Sequence, residues 1–95
     1  MVTYNQIDAS EKLANLKDWK LIDNYIEKKF VFKNFQEALA FMVRVGFICE
    51  VKNHHPEWTN VYNKLTIRLS THDEGGVTDK DFDLAGEIDR IRLEA

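Results

Sequence analysis

The stretch Trp58-Thr59-Asn60-Val61-Tyr62-Asn63-Lys64-Leu65-Thr66-Ile67-Arg68-Leu69-Ser70-Thr71 decides how this chain folds. Trp58 to Tyr62 reads as a strand, Asn63-Lys64 as a tight turn, and Leu65 to Thr71 as the antiparallel return. In the return, Leu65, Ile67 and Leu69 fall on one side, while Thr66, Arg68 and Ser70 fall on the other. That alternation belongs to a sheet with one face against helices. Pairing about Asn63-Lys64 sets Trp58 near Leu69, so the residues before the first strand and after the second share one end of the sheet. All three histidines lie there: His54 and His55 just before the hairpin, His72 just after it.

Working outward, the upstream half carries a similar unit. Trp19 to Ile22 reads as a strand, Asp23-Asn24 as a turn, and Tyr25 to Phe32 as a second strand with Ile26, Lys28, Phe30 and Phe32 on one face. Asn34-Phe35-Gln36-Glu37 then opens the longest helix, with Asn34 as its cap and Glu37 three residues later. Phe35, Leu39, Met42 and Gly46 form one stripe on it, and Ala38, Phe41, Val45 and Ile48 another. This apolar arc is wider than the roughly 100° of an ordinary surface helix. One side is expected to face the sheet and the other a second copy of the chain. The residue before proline is pushed out of helical geometry, so the helix ends before His55-Pro56.

At the ends, residues 1–7 are expected to be a flexible lead and Asp8-Ala9-Ser10-Glu11 a helix start, with Asp8 as cap and Glu11 reaching back. Asp73-Glu74-Gly75-Gly76 reads as a loop, and Thr78-Asp79-Lys80-Asp81 as the cap of a final helix with Leu84, Ala85, Ile88 and Ile91 inward. The expected architecture is a single two-layer α+β domain over residues 1–95. Its four-stranded antiparallel sheet is covered on one face by helices, in the order α-β-β-α-β-β-α.

Composition narrows the function. An apolar fraction of 44% with 12% aromatic residues is globular, and a net charge of -3 supplies no basic face for nucleic acid. No run approaches the roughly 18 apolar residues of a membrane span. The N-terminal residues lack the basic and apolar regions of a signal peptide, and the lone Cys49 has no partner, so a cytoplasmic location is expected.

Three histidines at one sheet end allow three readings. They can be ordinary loop histidines. They can be metal ligands, although His54 and His55 are consecutive and adjacent side chains on an extended segment point apart. Or they can carry out acid–base chemistry, since the unperturbed imidazole pKa of roughly 6.5 lies near neutrality.

Glu50, His54-His55-Pro56, Tyr62, His72 and Asp81, with the text His55-Pro56-Glu57-Trp58, Val61-Tyr62-Asn63-Lys64 and Leu69-Ser70-Thr71-His72, resemble the pterin-4a-carbinolamine dehydratases. The likeness covers about residues 8–93. It implies an enzyme that eliminates water from 4a-hydroxytetrahydrobiopterin to give quinonoid dihydropterin, without metal or organic cofactor, in tetrahydrobiopterin recycling. Carried over, His54 and His72 become general acids and His55 the histidine that holds the pterin. Asn53, Ser70, Thr71 and Asp73 become polar contacts, with Glu50 and Trp58 in support. Asn53 departs from the family pattern, in which animal relatives usually carry Asp. Asp81 fits the motif, and its position after Thr78 also explains it as a capping residue. The likeness implies a homodimer or homotetramer, with helix 35–52 as the expected interface, and no nucleic-acid or membrane partner. Some animal members also act as dimerisation cofactors for a transcription factor, so a non-catalytic pterin-binding or interaction module is the competing class.

Overall fold

The structure, a computed structural model, describes residues 3–94. Helix α1 (Gln6–Leu13) leads into β1 (Lys20–Ile22) and β2 (Tyr25–Val31). Helix α2 (Phe35–Lys52) follows, then β3 (Glu57–Val61), β4 (Lys64–Leu69), a single 3₁₀ turn (His72–Glu74) and α3 (Asp79–Glu94). The strands form one antiparallel sheet in the order β1-β2-β4-β3, so the two hairpins meet along β2 and β4. The element order matches the sequence reading.

Alternation explains which face is covered. Ile26 and Phe30 of β2 and Leu65, Ile67 and Leu69 of β4 are buried on the inner face, against Ala38, Phe41, Val45 and Cys49 of α2 and Leu84, Ala85, Ile88 and Ile91 of α3. Each fully buried Ile or Leu stabilises by roughly 1.5–3 kcal/mol relative to exposure. Lys28 also points inward, where its ammonium lies 2.8 Å from Asp89 Oδ1; Trp19 Nε1 donates to the other oxygen at 3.0 Å. That pair of bonds ties α3 to the first hairpin.

Four local expectations are corrected. Asn5, not Asp8, caps α1: its side chain accepts from the Asp8 amide, and the helix starts at Gln6. Of the expected flexible lead, Met1 and Val2 lie outside the described residues, whereas the Tyr4 amide donates to Val77 O at 2.8 Å and its ring packs edge-on against Phe82. The hairpin turn is Tyr62-Asn63, with Val61 opposite Lys64, and Trp58 pairs with Ile67 rather than lying near Leu69. The cause is tertiary. Phe32 N–H donates to Asn63 O and Asn63 Nδ2 donates to Phe32 O, holding Asn63 in the turn while Tyr62 takes φ 52°. The fourth correction concerns the outer stripe of α2. It runs through Phe35, Leu39, Val43, Phe47 and Val51, all exposed, whereas Met42 packs partly against the core.

Candidate active site

Helix α2 ends because Asn53 adopts the left-handed conformation, φ 52° and ψ 44°, which asparagine tolerates better than most residues. The His54 amide then bonds back to Cys49 O at 3.0 Å, closing the helix end. This reversal sends His54 toward the start of α3, where its Nε2 lies 2.5 Å from Asp81 Oδ1. The side chains are 11% and 0% exposed, so this is a nearly dry contact.

Asp81 joins the two histidine-bearing segments. Its second oxygen accepts from Thr71 Oγ1 at 2.9 Å and from the Thr78 amide at 2.8 Å. Since the Thr71 hydroxyl gives its proton to Asp81, the 2.7 Å contact between Thr71 Oγ1 and Thr78 Oγ1 is donated by Thr78. Thr78 Oγ1 in turn accepts from the Lys80 amide, so Asp81 and Thr78 cap α3 reciprocally. The capping reading of Asp81 is therefore half of its role; the other half is to orient His54. A carboxylate that accepts at Oδ1 sets the hydrogen on His54 Nε2 and leaves Nδ1 as the other working nitrogen.

His55 turns the other way. Its Nε2 meets Glu50 Oε1, one turn back on α2, at 2.8 Å, and both side chains are largely exposed. An exposed pair of this kind adds little stability and serves mainly to orient the ring. His72 begins the 3₁₀ turn and its ring packs against Tyr25 with centroids 6.1 Å apart. Among the described residues, no three His, Cys, Asp or Glu side chains gather closely enough to hold a metal ion.

The other expected contacts divide by burial. Ser70 and Thr71, expected as polar ligand contacts, are buried, and Thr71 is committed to Asp81 and Thr78. Asn53 and Asp73 are exposed near the histidines in sequence, and Trp58 packs partly against the core. Tyr62, part of the matching motif, stands in the turn at the far end of the hairpin. A cavity of about 180 Å³ opens beside His54 between Lys52, Lys80 and Asp83. A larger concavity, about 400 Å³, lies between residues 3–5, the turn at Asp23-Asn24 and Gly75 to Val77, and holds no histidine. Size alone would favour it, but the smaller one is lined by His54, while His55 and His72 line neither.

These elements define a small two-layer α+β domain that gathers imidazoles and a buried carboxylate at one end of its sheet. Residues 3–91 match the family described as pterin 4 alpha carbinolamine dehydratase. A Prochlorococcus marinus subsp. pastoris protein, provisionally named pterin-4-alpha-carbinolamine dehydratase, is 48% identical over 84 residues, 88% of each chain. An Opitutus terrae protein with the same provisional name is 48% identical over 87 residues, 90% of each chain. The crystal structure of a transcriptional coactivator/pterin dehydratase from Brucella melitensis superposes with TM-score 0.91 at 35% identity, over 95% of this chain and 98% of that one. The chain belongs to the pterin-4a-carbinolamine dehydratase family.

Proposed function

We propose that this protein is a hydro-lyase that removes water from a pterin 4a-carbinolamine, 4a-hydroxytetrahydrobiopterin or a close analogue, to give quinonoid dihydropterin. The C4a–O bond breaks, the N5 lone pair forms the C4a=N5 double bond, and the N5 proton leaves. Hydroxide is a poor leaving group, so an imidazolium protonates the departing oxygen. His54 and His72 carry out the proton transfers, and His55, steadied by Glu50, holds the pterin. The single observation that carries this reading is the Asp81 bridge, which orients His54 while bonding Thr71, the neighbour of His72. The reaction uses no metal or organic cofactor, takes place in the cytoplasm, and recycles tetrahydrobiopterin. The assembly is a homodimer or homotetramer in which the exposed apolar side of α2 is covered by another copy.

Chelator-treated protein is expected to accelerate dehydration of a synthetic carbinolamine. His54→Ala and His72→Ala should each lower kcat by roughly 10²-fold or more, and His55→Ala should mainly raise KM. Full activity in the doubly substituted His54/His72 protein would overturn the roles given to them.

One observation favours a second reading, a transcription-cofactor-type module. The apolar stripe from Phe35 to Val51 is a ready docking surface, and the Brucella melitensis protein carries the coactivator description. Partner binding that survives the histidine substitutions, in a protein without dehydratase activity, would select this alternative.

A further inference from the structure

His72 is held differently from the other two histidines. His54 and His55 each hydrogen-bond a carboxylate, whereas among the described residues no hydrogen bond fixes the exposed His72 ring. What it touches is Tyr25, with ring planes at 72°, a T-shaped arrangement. Tyr25 opens β2 on the outer face of the sheet. Its ring is also covered by Arg68, whose Cζ lies 4.1 Å from the ring centroid.

Arg68 gives up something to be there. Its Nε is buried without a hydrogen-bond partner, and the nearby carboxylate oxygen, Glu27 Oε1, stands 3.4 Å away. The ion pair with Glu27 and the stack on Tyr25 together hold the guanidinium over the ring. Arg68 of β4 thus stacks on the Tyr25 ring of β2, and that ring also packs against a histidine assigned to the chemistry.

We propose that Tyr25, backed by Arg68, is a positioning residue for His72, its ring setting the imidazole's orientation for proton transfer. This rests on the reading of His72 as a proton donor in the dehydration. The charged groups around the pair are Glu27 on β2, Glu57 on β3, Arg68 on β4, and Asp73 and Glu74 beside His72 in the 3₁₀ turn. The neighbouring Glu57 carboxylate, with burial second and Arg68 opposing, raises the Tyr25 phenol above its usual 10.0. The phenol therefore stays neutral at working pH and acts through its shape.

The test compares Tyr25→Leu, Tyr25→Phe and His72→Ala in the carbinolamine assay, with KM, kcat and the pH–rate profile measured for each. Tyr25→Leu is expected to lower kcat roughly tenfold with little change in KM and to shift the limb of the profile that His72 sets. Tyr25→Phe keeps the ring and should retain at least half the activity. If Tyr25→Leu matches the parent protein while His72→Ala is slow, the positioning role is overturned and the reading of His72 stands. Equal losses in the Leu and Phe variants also overturn it, because the ring is then not what matters. If His72→Ala is fully active, the reading of His72 itself fails. Should Tyr25→Leu not fold, Arg68→Met, which frees the ring face, carries the test: a fall in kcat at constant KM supports the role, and parental kcat overturns it.

Discussion

Asp81 concentrates more of this molecule's organisation than any other residue described. It is fully buried, accepts from Thr71 Oγ1 and the Thr78 amide, and meets His54 Nε2. Asp81→Asn keeps the volume but replaces one acceptor oxygen with a donor. Either the Thr71 and Thr78 side or the His54 side then faces a donor instead of an acceptor. The expected outcome is a stability loss of about 1–3 kcal/mol by urea unfolding, together with a kcat reduction of at least tenfold. A variant with parental stability and kcat would show that the bridge is dispensable. The sequence showed Asp81 only as a capping residue in a matching motif. The His54 contact was not legible, because it joins two helix ends whose relative placement depends on the whole sheet between them.

At the scale of the element, α2 carries two apolar faces with different environments. The inner face packs Ala38, Phe41, Val45 and Cys49 against the sheet. Burial pushes the Cys49 thiol from its ordinary 9.0 up to about 11, with a smaller opposing effect from a backbone hydrogen bond. Burial penalises the thiolate, so the neutral thiol is the form that folding favours. The contribution to stability is intact below about pH 9 and declines as pH rises toward 11. Native protein is therefore expected to resist iodoacetamide at pH 7–8 and to react promptly once unfolded in urea, as read by mass spectrometry. Rapid labelling of the native state would contradict a dry inner face. Much at this scale was readable from the sequence. Asn34 caps α2 as expected, its side chain accepting from the Glu37 amide, because capping needs only residues three apart. The cap of α1 was misread, since Asn5 and Asp8 are both competent and the docking of Tyr4 on Val77 favours the earlier start. The contact of Tyr25 with His72 carried no local signal, because it requires the pairing of β2 with β4.

At the scale of the whole molecule, the outer face of α2 is unfinished. Phe47 is 71% exposed and Val51 84%, in line with Phe35, Leu39 and Val43. An apolar band of this length is unusual on a monomer and supports the proposed self-association. Sedimentation of the parental protein should give a dimer or tetramer, and Phe47→Glu should shift it toward monomer while leaving the far-UV spectrum unchanged. A monomeric parental protein would remove the self-association proposal. In the family's Brucella melitensis relative the same fold persists at 35% identity, which a core of period-two strands and capped helices can sustain through many substitutions.

The hydrogen-bond clamp between Asn63 and Phe32 sets a measure for the entire hairpin. Sliding β3 by two residues against β4 would keep Trp58 and Asn60 on the side of Ile67 and Leu65, so the core alone distinguishes the two registers weakly. Yet such a slide moves His54 by about 7 Å along the strand direction, far outside hydrogen-bond reach of Asp81. The turn is thus a gauge whose error the packing would forgive and the contact of His54 with Asp81 would not.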